Sequence, residues 1–142
     1  MRTPRMGIGL GVAIMAMAAA TIGRAEPAAR DGAVEAASAW LALVDNGQYG
    51  ESWEQAASFF RSAVTKPQWE QTIGGVRPPL GQVSSRVVSS AEYTKSLPGA
   101  PDGRYVVIQF TTAFEHKASS VETVTPMQQP DGTWRVAGYY IK

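Results

Sequence analysis

The residues in this sequence that could carry out acid–base chemistry are few. Glu122 and Tyr140 are the one carboxylate and hydroxyl that the predicted strands place close together. A buried carboxylate facing a hydroxyl donor is the kind of group that lyases and isomerases use for proton transfer near neutral pH. A solvated glutamate beside a tyrosine packed by its ring is the interpretation we favour. We therefore assign no catalytic residue, and keep Glu122 and Tyr140 as the pair an enzyme would use.

Other reactive residue types lack the partners that their chemistry needs. His116 lies at a predicted hairpin tip, and Asp45 precedes Asn46-Gly47, where a turn or capping role is expected. The serines have no nucleophile elbow. The sequence contains no cysteine, which excludes thiolate catalysis, disulfides and Cys/His zinc sites. No spacing typical of a metal or cofactor site is present, so we expect neither a metal nor a cofactor.

The first 25 residues have the pattern of a secretory signal peptide. Arg2 and Arg5 precede an apolar run over residues 6–22, and Gly23-Arg24-Ala25 provides the small residues that signal peptidase prefers. We place cleavage after Ala25, with Ala20 as the alternative site. An uncleaved membrane anchor is the other interpretation, but the run is rich in Gly and Ala and barely reaches spanning length. The sequence thus predicts export to the periplasm or beyond.

Cleavage would change the charge balance. Residues 1–25 hold three arginines and no acidic residue, so the mature chain keeps 10 basic against 12 acidic residues. A mildly acidic chain without a Lys/Arg cluster is not expected to bind nucleic acid, and we expect no stable membrane insertion after cleavage. Residues 26–30 are predicted to be a flexible leader. Residues 31–142 suffice for one domain.

The first half of this domain has the apolar spacing of three helices. The first begins near Ala33, is capped by Asp31 and ends at Asn46-Gly47. A second runs from Tyr49 to Val64. The third opens with the capping-box spacing of Thr65 and Gln68 and is stopped by Arg77-Pro78-Pro79.

After Pro79 the periodicity changes to two, which predicts four antiparallel strands. Hairpin turns are expected at Pro101-Asp102-Gly103, His116-Lys117 and Pro130-Asp131-Gly132. The predicted fold class is therefore α+β, with three N-terminal helices packed on a curved four-stranded antiparallel meander.

Pairing across these turns separates two faces of the sheet. We assign the helices to the face that carries the candidate pocket residues Tyr93, Tyr105, Gln109, Thr111 and Tyr140. The opposite face is still too apolar for water, so it is expected to bind a second copy of the chain. The candidate interface residues on that face are Val106, Ile108, Phe110, Phe114, Met127, Tyr139 and Ile141. A strongly curled sheet, or a register shifted by one residue, would remove this surface.

The four tryptophans each lie on the apolar side of a predicted element. Trp40, Trp53, Trp69 and Trp134 are therefore expected to be core anchors, although a stacking platform for a ligand is an alternative.

Several segments resemble a known bacterial family, domain of unknown function number 4019. They are residues 40–49 with Ser52-Trp53, and residues 97–103, 121–127 and 131–140. The resemblance spans nearly all of the mature chain and implies an exported single-domain protein without an established activity. More loosely, three helices before a sheet that ends in Gly-Thr-Trp-Arg-Val are similar to the NTF2-like and cystatin-like cone.

These observations favour a non-catalytic domain that works by binding. It is expected to form a homodimer through the outer sheet face, or to bind a small apolar or peptide ligand in a shallow cone pocket. The alternative is an NTF2-like lyase or isomerase that acts on a small apolar substrate.

Overall fold

The structure is a computed structural model and describes residues 26–142; the predicted signal peptide lies outside the described residues. Helix α1 occupies residues 26–45. It is followed by α2 (Tyr49–Gln55), α3 (Ser58–Ala63) and α4 (Lys66–Leu80). The strands are β1 (Val83–Thr94), β2 (Tyr105–Phe114), β3 (Lys117–Gln128) and β4 (Trp134–Ile141). The predicted α+β class is confirmed, with four helices instead of three. Among residues 26–142, no helix has the length and apolar character needed to cross a bilayer.

The four strands form one antiparallel sheet in the order β1-β2-β3-β4, which confirms the predicted meander. The helices cover one face of it. The core between the two layers is formed by the buried side chains Ala33, Ala37, Trp40, Leu41, Val44, Phe60, Trp69, Ile73, Val106, Ile108, Phe110, Val124 and Val136. Burial of these apolar groups is the main stabilising contribution in a chain that has no disulfide.

Helix α1 begins earlier than predicted. The proposed leader, residues 26–30, is helical, so Asp31 lies inside the helix and is not its N-cap. Ala28 and Ala29 are strong helix formers, and Arg30 forms an ion pair with Glu26 one turn away, at 3.8 Å. The end of the helix is as predicted, because Gly47 adopts a positive φ of 73°.

The predicted second helix is divided in two. Ala56 and Ala57 adopt extended backbone angles between α2 and α3, and both are fully buried. The break lets the Ala57 amide donate a 2.8 Å hydrogen bond to the Val136 carbonyl of β4. A tertiary hydrogen bond to an edge strand therefore overrides the helical periodicity.

In α4 the capping box of Thr65 and Gln68 is confirmed. The helix nevertheless continues through Pro78 and Pro79 and ends at Gly81, whose φ is +77°. A proline ring inside a helix collides with the carbonyl four residues earlier. Those residues are Gly74 and Gly75, whose backbone is free to adjust, so the two prolines are accommodated in the last turn.

The assignment of the sheet faces was wrong. Val106, Ile108, Phe110 and Phe114 point toward the helices and are at most 2% exposed. The outer face instead carries Gln109 and Thr111, which are exposed. Tyr139 and Ile141 pair with the helix-facing Val124 and Glu122, so most of the apolar row predicted to bind a second copy is covered within one chain. Met127 pairs with Tyr105 on the other side of the sheet and is half-buried. The homodimer remains a prediction without an assigned interface.

The error in the sheet faces arises from the positions of two turns and from irregular pairing at two places in the edge strands. The β2–β3 turn is Glu115-His116, one residue before the predicted position, and a one-residue shift exchanges the faces of a strand. Pro101-Asp102-Gly103 belongs to a longer connection over residues 95–104. Irregularities between Val88 and Ser90 in β1, and opposite Thr125/Pro126 in β4, change the alternation within each edge strand. The turn at Pro130-Asp131-Gly132 is where it was predicted.

Candidate functional site

Glu122, the carboxylate of the hypothetical enzyme, lies on the helix-facing side of β3 and has no exposed surface. Tyr140 lies on the opposite face of the sheet, where 58% of it is exposed, so the two do not form a pair. The hydroxyl that reaches Glu122 belongs to Tyr139, which donates a short hydrogen bond of 2.5 Å to Oε2. The predicted pairing was therefore wrong by one residue in β4.

Three further donors complete the shell around Glu122. Arg86 of β1 donates from Nε to Oε1 at 2.7 Å and from Nη2 to Oε2 at 3.2 Å. Thr112 of β2 donates from Oγ1 to Oε1 at 2.6 Å. With Tyr139, the carboxylate accepts four hydrogen bonds from the other three strands of the sheet.

Asp45, at the end of α1, extends this arrangement to the helices. It accepts hydrogen bonds from Arg86 at 2.8 and 3.0 Å and from Arg77 of α4 at 2.6 Å. Arg77 is 5% exposed, and its guanidinium carbon lies 5.0 Å from the centre of the Phe114 ring. We call Asp45, Arg77, Arg86, Thr112, Glu122 and Tyr139 the buried ionic cluster. It connects two helices to all four strands.

The charges of the cluster balance, with two guanidinium groups and two carboxylates. Burial alone would raise the pKa of Asp45, but hydrogen bonds and charge from Arg86 and Arg77 outweigh it and hold this pKa below its ordinary value. Burial and the negative charge of Glu122 raise the pKa of the Tyr139 hydroxyl well above its ordinary value. Tyr139 is consequently a neutral hydrogen-bond donor at physiological pH.

This geometry suits a structural role for Glu122. A general base needs a lone pair that a substrate can reach. Here the carboxylate has no exposed surface, and protein donors occupy both oxygens. Sequence reasoning missed Arg86 and Thr112, although an arginine as the one charged residue in the first half of β1 was a signal for Arg86.

The predicted pocket residues are not brought together. Gln109, Thr111 and Tyr140 lie exposed on the outer face. Tyr105 is fully buried, and its hydroxyl donates to the Pro101 carbonyl of the connection over residues 95–104. Only Tyr93 lies on the helix-facing side and lines a cleft.

The tryptophans divide into two groups. Trp40 and Trp69 are buried and pack with Phe60 and Tyr139, their ring centres 5.0 to 6.5 Å apart. The indole N–H groups of Trp40, Trp53 and Trp69 donate to Ser52 or Val64. The indole of Trp134 has no hydrogen-bond partner among the described residues, although Tyr and Trp usually find one when buried. Trp134 is half-buried beside Gly32 of α1.

Trp134 lines an open cleft of about 400 Å³ between α1, α2 and β4, which we call the apolar cleft. Its apolar lining consists of Ala36, Ala39, Trp40, Leu43, Trp134 and Val136. The small alanine side chains of α1 leave space opposite Trp134. The volume lies within the range of small-molecule sites.

The rim of the apolar cleft is polar and already ordered. Arg135 donates to the Gln55 backbone carbonyl at 3.2 Å and to its side-chain oxygen at 3.4 Å. Gln55 in turn donates to Glu51 at 3.0 Å. These three hydrogen-bonded side chains place both a cation and a carboxylate at the mouth of the apolar cleft.

The remaining candidate residues carry no site. His116 and Glu115 are both exposed at the β2–β3 turn, with 3.7 Å between Nε2 and Oε1. Within residues 26–142, no three His, Asp or Glu side chains are grouped as a metal site would require.

Comparison with known families matches residues 36–139 to the family described as protein of unknown function DUF4019. The match includes all the residues of the buried ionic cluster and of the apolar cleft. No curated protein matches the chain.

Proposed function

The chain belongs to the DUF4019 family, and from this premise we propose that it is a non-catalytic binding domain that holds a small apolar ligand, or an apolar side chain of a peptide, in the apolar cleft. The single observation that carries this proposal is the cleft itself, an apolar hollow of about 400 Å³ beside the half-buried Trp134. Ligand sites combine an apolar lining with a few oriented polar groups.

The contacts of the rim support a ligand with an apolar body and a polar end. Arg135 and Gln55 are oriented by their mutual hydrogen bonds, so they need little reordering when a ligand binds. The free indole N–H of Trp134 adds a donor for a ligand carbonyl.

The geometry gives no support to the alternative, a lyase or isomerase. Its carboxylate would be Glu122, which is enclosed by protein donors and pairs with Tyr139 instead of Tyr140. Glu51, the carboxylate at the apolar cleft, is exposed and accepts a hydrogen bond from Gln55.

We also propose that the domain works outside the cytoplasm, after removal of residues 1–25. The support is the sequence of Arg2 and Arg5, the apolar run and Gly23-Arg24-Ala25. We further propose that the fold is an NTF2-like or cystatin-like cone, and the order of helices before an antiparallel meander supports this assignment.

The binding proposal is tested with the neutral fluorescent probe N-phenylnaphthylamine. The matched variants are Ala39→Leu, which fills the apolar cleft, and Ala42→Leu, at an exposed position of α1 that does not line it. Leucine is a strong helix former, so both should fold. We expect Ala39→Leu to raise the Kd of the probe about ten-fold and Ala42→Leu to leave it unchanged. Equal affinities in the two variants would contradict the proposal.

A further inference from the structure

A second cleft lies at the end of the sheet where β1 and β3 finish and β2 and β4 begin. Its volume is about 490 Å³, and the first turns of α1 cover it. We call it the basic cleft, because its lining includes Lys95, Arg104, Tyr93, Trp134 and Gln128 together with Glu26. The proposed function does not use this cleft, and Trp134 is the one residue that lines both.

The charges of the basic cleft are unbalanced. Lys95 and Arg104 are exposed, and neither has a carboxylate within ion-pair distance among the described residues. Glu26, the carboxylate in the lining, is paired with Arg30 at 3.8 Å. The lining therefore carries two cations against one carboxylate, an excess of positive charge. A concave surface with an excess of one sign of charge concentrates ligands of the opposite sign.

The orientation of Arg104 is partly fixed. Its Nη1 donates to Oε1 of Gln128 at 3.3 Å, and Gln128 itself donates to the Gly132 carbonyl at 3.2 Å. This anchoring comes from a neutral side chain, so it leaves the positive charge of the guanidinium free for a ligand. Planar guanidinium groups are well suited to carboxylate and sulfonate oxygens.

Aromatic side chains supply the other part of the recognition. Tyr93 at one edge strand and Trp134 at the other are half-buried, and both line the cleft. The exposed portion of such a ring offers an apolar surface on which a flat ligand can pack. We propose that the basic cleft binds a small aromatic monoanion, a ring system that carries one carboxylate or sulfonate group, with Lys95 and Arg104 facing the anionic group.

The test compares two probes that share the same ring system. Anilinonaphthalenesulfonate carries one sulfonate, whereas N-phenylnaphthylamine is neutral. The test variant is Lys95→Gln/Arg104→Gln. The matched control is Lys117→Gln/Lys142→Gln, which removes the same amount of charge away from the basic cleft, next to the β2–β3 turn and just after β4. Glutamine retains most of the side-chain length at these surface positions, so both proteins should fold.

We expect the test variant to raise the Kd of anilinonaphthalenesulfonate about ten-fold and the control to leave it unchanged. The affinity of the unaltered chain for this probe should also fall with added salt. The Kd of the neutral probe, N-phenylnaphthylamine, should be the same in both variants. Equal affinities of the sulfonate probe in the two variants would overturn the proposal.

A second pair of variants distinguishes the two clefts. Ala28→Leu narrows the basic cleft from an exposed position of α1, whereas Ala39→Leu narrows the apolar cleft. We expect Ala28→Leu to raise the Kd of anilinonaphthalenesulfonate and Ala39→Leu to leave this Kd unchanged. If only Ala39→Leu raises this Kd, the sulfonate probe binds in the apolar cleft. The inference about the basic cleft is then overturned, while the proposed function stands.

Discussion

At the scale of single residues, two adjacent tyrosines of β4 have opposite surroundings. Tyr139 donates to Glu122 inside the buried ionic cluster, whereas Tyr140 lies on the outer face and is 58% exposed. Sequence alternation alone placed the useful hydroxyl on Tyr140. The irregular pairing opposite Thr125/Pro126 decides the matter, and such bulges leave no clear signature in the residues themselves.

The tyrosine pair provides the first prediction. Replacement of Tyr139 by Phe removes a donor from a buried carboxylate, so the free energy of unfolding should fall by about 1–3 kcal/mol. Replacement of Tyr140 by Phe should change it by less than about 0.5 kcal/mol. Urea unfolding of the two variants measures both values, and equal losses would contradict the position we assign to each hydroxyl.

At the scale of elements, the buried ionic cluster connects the ends of helices to the sheet. Asp45 lies at the end of α1 and is 25% exposed; it accepts hydrogen bonds from Arg77 of α4 and Arg86 of β1. Ion pairs with this degree of burial stabilise only when their remaining hydrogen-bonding groups are satisfied. Nε and Nη1 of Arg77 have no hydrogen-bond partner within residues 26–142, so the position of this arginine depends strongly on Asp45 and on packing against Phe114.

The lowered pKa of Asp45 predicts acid sensitivity. Because the folded-state pKa lies below the unfolded-state pKa, the unfolded chain binds the proton first as the pH falls. The stabilisation from ionised Asp45 is complete above the unfolded-state pKa and is lost as the pH falls through the folded-state pKa. Arg77, Arg86 and, more distantly, Glu122 are the charged groups that face it.

The corresponding experiment compares the unaltered chain with Asp45→Asn. Near neutral pH the variant should be less stable, and the difference between the two stabilities should shrink as the pH is lowered from neutral to below 3.8, the ordinary pKa of this carboxyl. Asp131 also has a lowered pKa, from its hydrogen bonds with Thr133, but it is present in both proteins and cancels in the comparison. Thermal unfolding without chemical denaturant, at a series of pH values, measures the difference in stability. A constant difference across this range would refute the assigned role of Asp45.

Elements also show what could be predicted from the sequence. The helical spacing around Trp40, the capping box at Thr65 and the change of period after Pro79 are local patterns, and each is found in the structure. The division of the second helix depends on the hydrogen bond from Ala57 to Val136, which joins residues far apart in sequence. The faces of the sheet depend on turn lengths and bulges, where one residue reverses the outcome. The buried ionic cluster could not be predicted for the same reason, since its residues come from six different elements.

At the scale of the whole molecule, the two clefts described above open where side chains are small and where the sheet ends. The alanines of α1 create the apolar cleft beside β4, and the end of the sheet creates the basic cleft. The aromatic cluster around Trp40 and Trp69 and the buried ionic cluster occupy much of the space between the two layers. Binding at these two edges of the fold is the use that we propose for it.

Export is a prediction at this scale. If residues 1–25 are a signal peptide, the chain expressed with its full sequence in a bacterial host should be recovered from the periplasm or medium, beginning at Glu26. Mass spectrometry of the intact protein gives the first residue directly. Substitution of Ala25 by a bulky residue such as Trp should block this cleavage or move it to Ala20. Recovery of only the full-length chain from the cytoplasm would contradict the prediction.

Backbone amide NMR with N-phenylnaphthylamine is the most direct test of whether the apolar cleft binds an apolar ligand. We expect titration with this probe to shift the amide signals of residues 36–43 and 133–136, which line the cleft on α1 and β4, and to leave those around the buried ionic cluster in place. Shifts confined to the outer face around Gln109, Thr111 and Tyr140, or no saturable shifts at all, would contradict it.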